Sequence, residues 1–168
     1  MRVLATDPAI RNTGYAVIEG DHVRDAHAVD YGTISLPSKL AQSACLLAIK
    51  DHISALIQKW EPEEVAVERI IFVQSHQTAI IMGSARAAVI LAAAENGLKV
   101  VEYSPTSVKL AAVGKGTARK EQVAFMMRAL LQLRETPQSD AADALAIAFA
   151  HLTASDPAKA LVIERKYI

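Results

Sequence analysis

Residues 2–20 read RVLATDPAIRNTGYAVIEG. Arg2 to Asp7 is a short apolar run that stops at Asp-Pro, as a strand does when it meets a turn. Thr13 to Glu19 then alternates in polarity, and Gly20-Asp21 marks a second turn. Ala26 to Leu36 is rich in Val, Tyr, Thr and Ile and ends at Pro37. Three strands joined by tight turns predict an antiparallel meander.

After Pro37 the period changes. Leu46, Ile49, Ile53, Leu56, Ile57 and Trp60 recur at helical spacing, with Ser38 as the expected cap. A strand at Glu64 to Glu68 (EVAVE), a long helix from about His76 to Glu95 and a strand at Lys99 to Tyr103 (KVVEY) follow. Ser104-Pro105 opens a helical tail broken near Gly114–Gly116 and Glu135–Pro137. Helical crossovers between the later strands require parallel pairing there. The expected class is α/β with a mixed five-stranded sheet, first antiparallel, then parallel. The expected domain is residues 1–154, with 155–168 as a short tail.

The chain has 168 residues, with 52% hydrophobic and 21% charged, which excludes intrinsic disorder and suits one compact domain. A single cysteine, Cys45, excludes an intrachain disulfide and CxxC metal motifs. Asp7 falls where a secretory signal would have its apolar core. The apolar stretch Ala79 to Ala94 is interrupted by Arg86 and reads as too short for a membrane span. A cytoplasmic protein is therefore expected. The 18 basic and 18 acidic side chains balance, which argues against a nucleic-acid binder.

Four acids qualify this. In an open α/β sheet, ligands gather beyond the carboxyl ends of the strands. Asp7 ends the first strand and Glu68 the fourth. Asp140 and Asp143, in SDAADALAIAFAH, share one helical face, with Thr136 as the expected cap and Pro137 in the first turn. Leu145, Ala148, Phe149 and Leu152 are expected on the sheet side. Each acid alone has an ordinary reading as a turn residue, a solvated strand end or a helix-dipole partner. Four converging carboxylates would repel and need a cation. Oxygen-only ligands suit Mg²⁺ or Mn²⁺, and two such ions about 4 Å apart stabilise attacking and leaving oxygens in phosphodiester hydrolysis.

The other charge signal is local. Pro105 to Arg134 holds six basic residues (Lys109, Lys115, Arg119, Lys120, Arg128, Arg134) against Glu121 alone. The segment VGKGTARKEQ exposes basic side chains around two glycines, which suits phosphate contact or an ordinary solvated helix pair. It lacks the upstream Gly of a Walker loop and the third Gly of a dinucleotide fingerprint. The five histidines form no zinc spacing, and there is no GxSxG elbow. Gly83, Ser84, Ala85, Ala87 and Ala88 would let another helix approach closely, in this core or in a second subunit.

In this order, the motifs resemble the bacterial RuvC family of Holliday-junction resolvases, from Arg2 to His151. The carriers are Thr6-Asp7-Pro8-Ala9, Thr13-Gly14-Tyr15-Ala16, Val65-Ala66-Val67-Glu68, Gly83-Ser84-Ala85-Arg86, Val108-Lys109, the loop Gly114 to Lys120, and Asp140 to Ala148, which reads DAADALAIA. The resemblance implies a ribonuclease-H-like fold and a homodimer that nicks opposite strands of a four-way junction symmetrically. The nicks carry 5′-phosphate and 3′-hydroxyl ends. It implies metal-binding and catalytic roles for Asp7, Glu68, Asp140 and Asp143, with two Mg²⁺ (or Mn²⁺) ions per subunit. It implies DNA-backbone contact near the cleaved phosphate for Lys109 and Lys120, and the branch-migration proteins RuvA and RuvB as partners. Lys115, Arg119, Arg69, Ile71 and Phe72 complete the expected DNA contacts. The chain departs from the family pattern at Ala9 (usually Gly, in a turn expected to need positive φ), Arg69 (commonly Gln or Glu) and Ile71 (often a stacking aromatic), with Phe72 beside it.

Alternatives remain at this point: a ribonuclease-H-like nuclease acting on RNA or hybrids, or a non-catalytic junction-binding protein. An actin-like kinase needs two such domains. Setting four acids aside for metal leaves 14 acidic against 18 basic residues. Neutrality then reads as a negative pocket on a positive surface.

Overall fold

The computed structural model describes residues 1–71, 75–156 and 163–168. Phe72 lies outside the described residues. The elements run β1 (Arg2–Asp7), β2 (Asn12–Glu19), β3 (His27–Ser35), α1 (Gln42–Trp60), β4 (Glu64–Glu68), α2 (His76–Glu95), β5 (Lys99–Tyr103), α3 (Pro105–Val113), α4 (Lys120–Leu130), α5 (Ser139–Ser155) and β6 (Lys166–Tyr167).

The sheet order is β3-β2-β1-β4-β5-β6. β1–β2 and β2–β3 pair antiparallel, and β1–β4 and β4–β5 pair parallel, as the turns and crossovers require. A sixth strand corrects the expected five: Lys166–Tyr167 pairs antiparallel with β5. Two residues carry no period, so the pattern could not announce this strand.

Strand alternation divides the core into two layers. Leu4, Val17, Val65 and Val67 pack against Ile49 and Ile53 of α1 and Val89 and Ala92 of α2. Val3, Ala5, Ala66 and Val101 pack on the other face against Val108, Met127, Leu145 and Phe149 of α3 to α5. The expected sheet-facing residues of α5 are buried, but so is every residue from Ala144 to Ala154. Alanine-rich α5 is enclosed between the sheet and α3 and α4, with no solvent face in that stretch.

Two expected caps are corrected. α1 begins at Gln42 behind Ala41, so Ser38 does not cap it. α5 begins at Ser139 behind Gln138, two residues later than Thr136 would place it. Ser104 does cap α3, accepting from Ser107 N at 3.0 Å, with Pro105 in the first turn. The 20 residues of α2 make it long and apolar enough to cross a membrane, against the expectation from Ala79 to Ala94. Ala85, Ala88, Val89, Ala92 and Ala93 nevertheless form a buried stripe within the layered core.

Candidate active site

The parallel register builds the centre of the site. Thr6 pairs with Val67, so the next residues, Asp7 and Glu68, stand side by side where β1 and β4 end. Both share strand parity with Ala5 and Ala66, so they point toward the α5 layer. On the other side of β1, Asp7 pairs with Gly14. A Cβ at Gly14 would lie 2.0 Å from the Asp140 carbonyl oxygen, so only glycine lets α5 begin this close to the sheet. That contact brings Asp140 and Asp143 to the strand ends.

The turn after Asp7 is clipped by Thr13, whose Oγ1 donates to Ala9 O at 2.7 Å and accepts from Ala9 N at 3.3 Å. The only non-glycine residues with positive φ among those described are Glu61 and Gln132. Ala9 therefore adopts an ordinary backbone conformation, and the strain expected from losing glycine there is absent.

Electrostatics show that the acids share one field. Burial first, then the charges of Asp143 and Asp140, push Asp7 up to about 6, against Lys120, which lowers it. Burial, then Asp7 and Asp143, push Glu68 up to about 7, opposed by Lys120 and Lys109. Carboxylates held this close ionise reluctantly unless a cation joins them. Lys120 Nζ donates to Asp143 Oδ2 at 2.7 Å. Among the described residues, no three acidic, histidine or cysteine side chains stand close enough to hold one ion as they are. The donor chemistry nonetheless suits a hard divalent cation: oxygen ligands only, two with raised affinity for protons, and an ammonium already drawn to a third.

Two clefts flank the Asp7–Glu68 pair. One, of about 160 Å³, adds Asp143, Lys109, Lys120, Pro105 and Val108. The other, of about 360 Å³, adds Arg69, Arg86, Ile71 and Met82. Among the expected DNA contacts, Lys109 and Lys120 thus reach the acids, and Ile71 is 63% exposed at the second cleft. Lys115 and Arg119 are exposed on the loop before α4 and line neither cleft. Arg69 lines the second cleft but is tied through Nε to Glu102 at 3.1 Å. Sequence reasoning had Arg86 as the last residue of the Gly83 to Arg86 motif, with no site role, and missed Glu102. The available signal for Glu102 was an acid inside the apolar strand KVVEY.

Comparison with known proteins agrees with this architecture. The family model described as crossover junction endodeoxyribonuclease RuvC matches residues 3–151. A RuvC crossover junction endodeoxyribonuclease of Akkermansia muciniphila is 68% identical over 168 residues, covering 100% of both chains. One from Pelobacter propionicus is 47% identical over 152 residues, covering 90% of this chain and 86% of its own. The solved structure of T. thermophilus RuvC in complex with Holliday junction substrate superposes with a TM-score of 0.89 at 32% identity, covering 99% of each chain. The fold is accordingly the ribonuclease-H-like one. Sequence motifs, sheet topology and full-length similarity converge, and the chain belongs to the RuvC family of crossover junction endodeoxyribonucleases.

Proposed function

We propose that this endonuclease cuts four-way DNA junctions at the edge formed by Asp7, Glu68, Asp140 and Asp143. The observation that carries this reading is geometric: the β1–β4 register sets Asp7 beside Glu68, and both line one cleft with Asp143, Lys109 and Lys120. These four side chains would hold Mg²⁺ or Mn²⁺, two ions per subunit. When bound, such ions stabilise charge on the attacking and leaving oxygens of an in-line displacement by water.

The chain's own groups supply the rest. Lys109 and Lys120 line the cleft with three of the acids, where their ammonium groups suit a phosphate oxygen. Lys120 pairs with Asp143; arrival of a divalent ion at Asp143 would release this ammonium toward the phosphate. No side chain acts as a covalent nucleophile. The bond to the 3′ oxygen breaks, leaving 5′-phosphate and 3′-hydroxyl ends. Lys115 and Arg119 extend the positive surface along the DNA, and Ile71 offers an apolar contact at the cleft mouth.

A symmetric pair of nicks calls for a homodimer. Ile80, Ala87 and Leu91 are exposed along one side of α2, and a Cβ on Gly83 would meet open space. This unburied apolar stripe is the face we assign to the second copy. The nuclease unit is read as residues 1–154 with the 155–168 tail returning to its sheet through β6, the setting as the cytoplasm, and the partners as RuvA and RuvB. A nicking assay on a synthetic four-way junction, with Mg²⁺ and with chelator, tests the reading. Loss of nicking in Asp7→Asn and Asp143→Asn is expected; full activity in either would overturn the site.

A further inference from the structure

Three cations converge on one buried carboxylate beside the acid-lined edge. Glu102 is only 6% exposed and alternates with Val101 and Tyr103, so it points to the opposite face of β5 from theirs, toward α2. Its Oε1 accepts from Arg69 Nε at 3.1 Å and lies 3.0 Å from Lys166 Nζ. Its Oε2 accepts from Arg86 Nη2 at 2.6 Å. Burial alone would raise its pKa, but hydrogen bonding from Lys166 and the charges of Arg69 and Arg86 bring it below the ordinary value. Three positive charges on one negative leave the cluster with a surplus.

That surplus faces the cleft. Arg69 and Arg86 both line the 360 Å³ cleft that also contains Asp7 and Glu68. Each guanidinium carries five N–H donors and gives one to Glu102. Among the described residues, neither side chain makes another hydrogen bond. A guanidinium next to Glu68 would otherwise pair with it or with Asp7 and occupy the oxygens a cation needs. Glu102 draws both arginines to the α2 side and leaves donors of each unpaired; Arg86 Nε is buried, so the donors open to a phosphate are on the terminal nitrogens of Arg86 and Arg69. The planar fork of arginine matches two oxygens of a phosphate.

We propose that Glu102 is a positioning residue that holds Arg69 and Arg86 as a paired clamp for a DNA backbone phosphate neighbouring the one cut, on the α2 side of the acids. The clamp rests on the nuclease reading of the site. It places the lysines and the arginines on opposite sides of the acid pair, so that a strand crossing the sheet edge is gripped both before and after the cleaved bond.

The test is binding of a labelled four-way junction to the full chain, read by fluorescence anisotropy across a salt series with chelator present. Arg69→Lys and Arg86→Lys keep the charge but lose the fork, and each is expected to bind about tenfold more weakly. Glu102→Gln makes the protein more positive, so general attraction predicts tighter binding and a steeper salt dependence. The clamp predicts the reverse, weaker binding and a shallower dependence. Binding by Glu102→Gln at or above the wild-type level, or unchanged binding in both lysine variants, would overturn the proposal. If thermal melting shows that Glu102→Gln does not fold, the two lysine variants decide. Because binding is read without metal, nicking by Asp7→Asn would sink the metal-site reading and leave this result standing.

Discussion

Glu64 and Glu68 bound the same five-residue strand, share its parity and face the same helix, yet they are treated in opposite ways. The strand spans about 13 Å between them, and the stretch of α5 from Asp143 to His151 covers about 12 Å. One helix therefore meets both glutamates. At its start it brings a like charge, Asp143, toward Glu68, which is pushed up to about 7. At its end it brings His151, whose Nε2 stands 3.0 Å from Glu64 Oε2. Arg165 also pairs with Glu64, and Tyr167 Oη donates to it at 3.1 Å. His151 hydrogen bonding, working against burial, holds Glu64 below its ordinary value. Tyr103 Oη lies 3.0 Å from His151 Nδ1 and completes the network. One end of the strand is satisfied by the protein itself. The other carries like charges that no cation of the protein fully offsets, which is the contrast our proposed site rests on.

The largest effect that separates the two ends is on turnover. Asp7→Asn or Glu68→Gln is expected to lower junction nicking by about 10³-fold or more. Near-wild-type rates in either would erase the distinction. Glu64→Ala should act on stability instead. It strands buried His151 and half-buried Arg165 without their carboxylate, and leaving such donors unpaired costs about 1–3 kcal/mol. Its melting temperature should fall markedly, while the protein that remains folded nicks at nearly the wild-type rate.

A smaller effect follows from the sign of the shifts. The folded chain raises Asp7 from 3.8 to about 6 and Glu68 from 4.5 to about 7, so it binds more protons than the unfolded chain in that window. Stability of the metal-free protein should therefore fall as pH rises from 5 to 8, by something of order 3 kcal/mol. Glu68→Gln should flatten the profile, and divalent ions should restore stability at pH 8. Melting curves at both pH values with chelator check this; a rise in stability with pH would contradict it. The smallest effect belongs to the exposed loop. Lys115→Ala should weaken junction binding by a few-fold and reduce the salt slope by about 1. An unchanged slope would remove Lys115 from the DNA surface.

Much of this frame was legible in the residues. Glu64 to Glu68, His76 to Glu95 and Lys99 to Tyr103 match their elements end for end, because alternation and helical spacing are written within a few residues. The same windows placed Asp7 and Glu68 at strand ends. They misplaced the caps of α1 and α5, since a serine or threonine near a helix start competes with neighbours only the folded backbone selects. They also missed β6, whose pairing depends on β5 rather than on its own two residues.

The chain order by itself determined the layers, the acids at the strand ends and the basic run before α4. Tertiary structure alone decided who meets whom. The β1–β4 register sets Asp7 beside Glu68, and the missing Cβ of Gly14 admits the start of α5. Glu64 finds Arg165 across 101 residues, and Glu102 gathers Arg69 and Arg86 from two different segments. Periodicity is a local property, whereas charge pairing acts through space and depends on registers and helix offsets that no short window contains.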